Sequence, residues 1–391
     1  MSVLIIQPRA EGGLAAHVRE EITALCEAGI PVTVSAVQIQ ERPHPVSDAR
    51  TIRALRREMM PEGPSSEAKT GEGVQAVHAH GLRAGALAAL AAGARSRRGP
   101  RLVVTLHNRP VGSPAVRVMG NVLLRIIARR ADAVLAVSPD LAEAARRCGA
   151  REVIDAIIPA PEPPSTDQTQ PSSESPSGSA SPSGSASLSK SEAPSALSLE
   201  PGPDIPPHSD IPPRPAFSVG QRLEVLVIAR LATQKGLDTL LDAIAILQGR
   251  QLPLRVRIAG EGPLRRHLEV RIADEHAPVE LLGRRDDVPE LLGESDLVVS
   301  AAVWEGQPVA LQEVLRAGCP IVATDAGGTR WVTGDAAALV PVGDAAALAA
   351  QIARHSDPGV LAAAAERARQ RGAELPVRKD MLAQLRTVLS V

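Results

Sequence analysis

Continuous apolar runs, not alternating ones, punctuate the chain. Val3–Gln7 is the first; Glu11-Gly12-Gly13 follows, then helical periodicity from Leu14 to Ala28, a break at Gly29 and a second run at Pro31–Val37. Similar runs recur at Gly73–His78, Leu102–Leu106 and Ala133–Val137. The pattern resumes with Leu223–Ile228, a helical stretch from Leu237 to Leu247, and short runs at Leu254–Ala259, Val279–Leu282, Leu297–Ser300 and Pro320–Ala323, each near a helix pattern. Unbroken β-branched runs predict strands buried on both faces, as in a parallel sheet. Alternating βα units twice over predict an α/β chain of two doubly wound, Rossmann-like domains facing across a cleft. Ligands of such sheets bind beyond the carboxyl ends of the strands, so the cleft is the expected site.

Between the two halves the pattern fails. Pro and Ser fill 29 of the 56 positions in 161–216, with repeats of Ser-Pro-Ser-Gly-Ser-Ala. Such a segment buries too little apolar surface to offset chain entropy and is expected to be a disordered linker. The expected organisation is therefore a first domain over 1–160, the linker over 161–216, a second domain over 217–375, and a short helix over 376–391.

Composition narrows the function. Formal net charge is -1 over 391 residues, which gives no case for nucleic acid as a partner. Aromatics are 1%, with no Tyr, which argues against base-stacking modules and against a sugar groove of stacked rings. The first 160 residues are basic, with 21 Lys and Arg against 15 acids. Three dispersed cysteines, Cys26, Cys148 and Cys319, support neither a disulfide framework nor a zinc knuckle. The start has no basic n-region and no apolar stretch is long enough to span a bilayer, so a reduced cytoplasm is the expected home. A composition rich in Ala and Arg suggests a GC-rich bacterial genome.

The residues suited to chemistry cluster at strand ends. In Trp304-Glu305-Gly306-Gln307-Pro308-Val309-Ala310-Leu311-Gln312-Glu313, two carboxylates flank a turn that opens a helix over Val309–Ala317. The amides at such a start lack intrahelical acceptors and attract phosphate. Arg230 and Lys235 follow the strand Leu223–Ile228, and Lys235-Gly236 precedes the next helix. Together they suit a diphosphate, Arg as a fork and Lys as a point charge. Gly260 opens a glycine turn, Gly260-Glu261-Gly262, after another strand, and Asp325-Ala326-Gly327-Gly328 is a further strand-to-loop turn. In the first half, Gly12-Gly13 falls short of a dinucleotide fingerprint but can present amides to an anion. His107 stands at a strand's carboxyl end; His78 and His80 share a strand face, with no third metal ligand at recognisable spacing. The chain contains no Asp-x-Asp pair, the usual carboxylate clamp for a divalent ion on a diphosphate, so no metal or other cofactor is expected.

This constellation resembles the family 4 glycosyltransferases, retaining enzymes of the GT-B fold. Arg230–Lys235-Gly236, Gly260 to Pro263, Glu305 to Glu313 and Ala323–Gly328 match in order and spacing, and cover most of 222–352. Glu305 and Glu313 match the family's Glu-x7-Glu motif, whereas Gly12-Gly13, His78-Ala79-His80, His107 and the segment Ala131 to Ser138 match more loosely. The resemblance implies that Arg230 and Lys235 hold the diphosphate of a UDP- or GDP-sugar without metal. It implies that Glu313 binds the ribose and that Glu305 and His107 face the donor sugar. Amides at Gly306, Val309 and Ala310, and at Gly13 across the cleft, would meet phosphate. It also implies that the last helix returns to the first domain. Two departures stand out: Gln307 replaces an apolar or aromatic residue, and Ala160-Pro161 replaces Asn-Gly. A nucleotide-sugar epimerase and a non-catalytic sugar- or nucleotide-binding protein are the alternatives.

The acceptor is left open: a sugar, a lipid-linked molecule or a small molecule. Ala115–Arg130 is apolar at Val116, Val118, Met119, Val122, Leu123, Leu124, Ile126 and Ile127 and basic at Arg117, Arg125, Arg129 and Arg130. Burial in the core is the ordinary fate of such a stripe; contact with the inner face of an anionic membrane is the alternative.

Overall fold

The computed structural model describes residues 2–8, 13–39, 44–60, 73–93, 99–109, 113–160 and 221–391. The linker expected over 161–216, and Gly12 of the two-glycine turn, lie outside the described residues.

The first lobe holds strands β1 (Ser2–Ile6), β2 (Val32–Val34), β3 (Val74–His80), β4 (Arg101–Leu106), β5 (Ala133–Ala136) and β6 (Val153–Asp155). Helices α1 (Gly13–Glu27), α2 (Pro45–Met59), α3 (Leu82–Ala92), α4 (Pro114–Arg130) and α5 (Pro139–Arg147) connect them. The strands are parallel in the order β2-β1-β3-β4-β5-β6. The unbroken apolar character of β1 is explained by burial on both faces: Val3, Leu4, Ile5 and Ile6 are at most 2% exposed.

The second lobe repeats the plan with β7 (Leu223–Ile228), α6 (Leu237–Gly249), β8 (Leu254–Ala259), α7 (Arg265–Asp274), β9 (Val279–Gly283), α8 (Val288–Gly293), β10 (Leu297–Ser300), α9 (Val309–Arg316), β11 (Ile321–Thr324), α10 (Thr329–Thr333), β12 (Ala337–Val340), α11 (Ala345–Arg354) and α12 (Pro358–Glu374). Its parallel sheet runs β12-β11-β10-β7-β8-β9. The order reverses between β7 and β10, and a crevice opens at such a switch point. Arg230, after β7, and Glu305, after β10, sit at its two sides.

Helix α13 (Arg378–Leu389) places Met381, Leu385, Val388 and Leu389 in the core of the first lobe. Edge strands depart from the sequence reading. β2 ends at Val34 rather than Val37, with Ser35 turned to Glu58 by a 2.5 Å hydrogen bond. β6 and β12, short and half-buried, carry too weak a hydrophobic signal to be read. α4 divides: Leu124, Ile127 and Ala128 are buried, but every residue from 113 to 119 is exposed.

Candidate active site

A cavity of about 650 Å³ opens between the two carboxyl-end faces. It is lined by nine of the residues singled out in the sequence: Gly13, His107, Arg230, Lys235, Gly260, Glu305, Gly306, Val309 and Ala310. Glu313 is not among the lining residues; it lies half-buried on α9, where burial raises its carboxyl against the opposing pull of Arg316.

Local backbone geometry brings the cationic and acidic groups together. A 3-10 turn, Thr233–Lys235, ends at Gly236 in the left-handed region, φ 60°. A Cβ on Gly236 would lie 1.9 Å from the Ala301 carbonyl, so only glycine lets this turn press against the end of β10. Val303 N–H donates to the Gln234 carbonyl at 2.8 Å, and the Gln234 side-chain amide donates to the Trp304 carbonyl at 2.9 Å. Registered this way, Lys235 Nζ reaches Glu305 Oε1 at 2.5 Å. The Glu305 carbonyl in turn accepts from Gly328 N–H at 2.9 Å, so the Gly327-Gly328 turn props the loop that carries Glu305. α9 then opens at Val309, behind Pro308, and its first amides border the cavity. Lys235, Arg230 and those amides face one another across a volume that suits an anionic diphosphate.

Several residues at or near this wall have uses that the sequence does not announce. Arg284 and Arg285, just past β9, add two cations, paired with Asp286 and Asp287 respectively. Gln307, the departure from the family pattern, accepts from Ile158 N–H at 3.0 Å and donates to the Ala156 carbonyl. Gln312 repeats this one turn on, accepting from Ala160 N–H at 3.1 Å and donating to the Ile158 carbonyl at 2.8 Å. Two glutamines of the second lobe thus hold the main chain that leaves the first. Trp304 Nε1–H donates to Asp140 across the cleft at 3.0 Å. A Cβ on Gly306 would lie 2.6 Å from Val137, so glycine permits this approach of the lobes.

Behind the cavity the first lobe buries an unexpected polar cluster. Glu21 and His17 of α1 meet His78 and His80 of β3, Thr105 of β4 and His107. Glu21 Oε1 lies 2.5 Å from His78 Nδ1, and His78 Nε2 lies 2.7 Å from Thr105 Oγ1. Glu21 Oε2 lies 3.4 Å from His80 Nε2, and His80 Nδ1 lies 3.1 Å from His107 Nε2. Burial works to raise the Glu21 carboxyl, but His78 and His80 outweigh it and hold it well below the ordinary range. Burial lowers His17 to about 4 despite Glu21. Burial, reinforced by the neighbouring imidazoles, holds His107 well below 6.5. Only His17 and His107 of this cluster also border the cavity. The nitrogens of His17, His80 and His107 all lie within 4.8 Å of one another, close enough to share one cation. The sequence found no third partner for His78 and His80 because His17 and Glu21 come from a distant helix.

Among the described residues no helix is long and apolar enough to cross a membrane.

Comparison with known proteins places both lobes. Residues 222–357 match the family described as glycosyl transferases group 1, and residues 12–160 match the glycosyl transferase 4-like domain. WcaL of Escherichia coli (strain K12), a glycosyltransferase named for colanic acid biosynthesis, is 34% identical over 172 residues, 40% of this chain and 42% of that protein. The amylovoran biosynthesis glycosyltransferase AmsK of Erwinia amylovora is 33% identical over 164 residues, 37% of this chain. The chain thus aligns with about two-fifths of the length of these relatives, 42% and 40%. Among solved structures, sucrose-phosphate synthase from Thermosynechococcus elongatus superposes with a TM-score of 0.68 at 17% identity, over 100% of this chain and 98% of that one. Anabaena HepE in complex with UDP and glucose superposes with a TM-score of 0.65 at 19% identity, over 100% of this chain and 99% of that one. With both halves matched and the two-sheet architecture shared, the chain belongs to the group 1, family 4-like glycosyltransferases of the GT-B fold.

Proposed function

We propose that this glycosyltransferase moves a hexosyl group, with retention at C1, from a UDP- or GDP-sugar to an acceptor hydroxyl. The observation that carries the reading is the convergence of Arg230, Lys235 and the α9 amides with Glu305 and His107 on one cavity. Breaking the C1–O bond leaves charge on the departing diphosphate, and fixed cations and helix amides stabilise that charge as it develops. These groups occupy the role that a divalent ion plays elsewhere, so the reaction needs no metal. Glu305, held by Lys235, faces the donor sugar, where C1 passes through an oxocarbenium-like state. The acceptor attacks from the face the diphosphate leaves, and its proton passes to the departing phosphate oxygen. Glu313 binds the nucleotide ribose, and Gly13 brings an amide from the opposite lobe. The UDP held by HepE favours the uridine nucleotide for this chain also.

The acceptor reaches the cleft from a membrane surface. α4 starts shortly after His107, carries no acid, and exposes Val116, Val118, Met119 and Val122, 45–63% accessible, beside Arg117 and Arg125. This face suits anionic lipid, and a cytoplasmic enzyme would use it at the inner leaflet.

Thermal shift against UDP, GDP and their sugars tests the donor, because a ligand of the folded state raises its apparent stability. Stabilisation by a nucleoside diphosphate, together with transfer that requires acceptor, is expected. Product formed without acceptor would instead make the protein an epimerase, and binding without turnover a non-catalytic protein.

A further inference from the structure

The buried cluster behind His107 is not needed to hold a diphosphate, yet it orders three imidazoles around one carboxylate and a fourth, His107, against His80. Glu21, fully buried, is 57 residues from His78 in sequence; its Oε1 is hydrogen-bonded to His78, and its Oε2 lies 3.4 Å from His80 Nε2 and 3.8 Å from His17 Nε2. Burying a carboxylate this way is expensive unless charge and hydrogen bonds compensate it. A packed apolar side chain at 21 would serve the core as well. The carboxylate therefore needs another use.

Proton placement supplies one. His80 Nε2 lies 3.4 Å from Glu21 Oε2, and neither atom has a hydrogen-bond partner among the described residues; a lone pair on Nε2 would meet the carboxylate's negative charge, so Nε2 carries the proton. His80 Nδ1 is then bare and accepts, so its partner His107 Nε2 must donate. That leaves Nδ1 as the bare nitrogen of a His107 ring that borders the cavity. We propose that Glu21 is a positioning residue which, through His80, fixes one tautomer of His107, so that His107 meets a hydroxyl in the cleft as a hydrogen-bond acceptor. The ligand class is polyhydroxylated, as a glycosyl group is. An imidazole whose outer nitrogen is held by a second group in this way keeps both its orientation and its proton. His78, tied to Oε1 and to Thr105, anchors the other end of the carboxylate, and His17, uncharged, closes the remaining side. The activity part of this inference rests on the placement of His107 beside the donor sugar; the proton placement does not.

The test uses the full chain with 15N-labelled histidine. Long-range 1H–15N correlation at neutral pH should show His107 protonated at Nε2. Glu21→Gln should turn this into a mixture of tautomers, with some loss of thermal stability because the Glu21–His78 ion pair is removed, and kcat should fall about tenfold, the worth of one well-placed hydrogen bond, with little change in KM for the donor. Should Glu21→Gln fold poorly, His80→Gln, which keeps the Glu21–His78 pair, should give the same tautomer mixture. A wild-type His107 protonated at Nδ1, or a tautomer indifferent to Glu21→Gln, overturns the proposal. A shifted tautomer with unchanged turnover supports it and instead overturns the placement of His107 against the sugar. Stoichiometric zinc bound by the wild-type chain and lost in His80→Gln would make the cluster a metal site and overturn the relay.

Discussion

Replacing Lys235 by alanine tests the charge on which donor binding is proposed to depend. Lys235 Nζ sits 2.5 Å from Glu305 Oε1, and its side chain is 27% exposed, so the ammonium is shared between the carboxylate and the cavity. Removing it deletes one charge-assisted donor to the diphosphate, worth about 2–3 kcal/mol in a site screened from water. That corresponds to a loss of about 30- to 160-fold in kcat/KM. It also leaves Glu305, 8% exposed, without its cation, which should lower stability by about 1–3 kcal/mol. Isothermal titration separates the two effects: UDP affinity should fall, uridine affinity should not, because the nucleoside carries no diphosphate. A double-mutant cycle with Glu305→Gln then reads the coupling, since groups in contact are not additive. If Lys235 acts only by holding Glu305, the double variant will be no slower than Glu305→Gln alone; a direct contact with diphosphate makes it slower. Equal losses for UDP and uridine, or wild-type turnover in Lys235→Ala, would refute the assignment.

Other outcomes follow from the same geometry. Gln312→Leu removes both hydrogen bonds to the backbone at Ile158 and Ala160, leaving a buried N–H and C=O unpaired; unfolding in urea should show a loss of about 2–4 kcal/mol with the m-value unchanged, and a loss under 0.5 kcal/mol would contradict this bracing role. Acid should weaken the fold between two defined limits. His17 titrates at about 4 when folded against about 6.5 when unfolded, so the unfolded chain binds the extra proton. Stability is then level above about pH 6.5 and falls toward pH 4, by up to about 3 kcal/mol for this residue. The lowered Glu21 carboxyl adds a loss in the same direction as pH falls below its unfolded value. His17→Gln should flatten the upper part of this slope, and an unaltered slope counts against it. Val118→Asp with Met119→Asp should abolish flotation with anionic vesicles while leaving transfer to a soluble acceptor intact; flotation that persists removes the membrane proposal.

Much of this was legible because the signals are short-range. Arg230, Lys235 and Glu305 stand within a few residues of strand ends that announce themselves by unbroken apolar runs, and Gly236 and Gly306 mark turns whose spacing is visible in one dimension. What could not be read is what joins distant segments. The Glu21–His78 pair spans 57 positions and the Gln312–Ala160 bond 152, so no local pattern distinguishes Glu21 from a surface acid or Gln312 from a solvated amide. Gln307 was visible as an oddity, but its use needed the segment it grips. α4 is misleading in the opposite way: its apolar stripe is continuous in sequence, yet residues 113–119 are exposed and burial begins only at Gly120.

Helix α13 gives the chain an order of assembly. The second lobe is, topologically, an insertion into the first, whose core is completed only by Met381, Leu385, Val388 and Leu389. During synthesis the amino-terminal sheet therefore waits, with that apolar surface bare, until the intervening lobe has emerged. The later-made half can close its own nucleus at once. A nascent chain halted before residue 378 would thus present a second lobe tethered to a first lobe whose core still lacks the four side chains of α13.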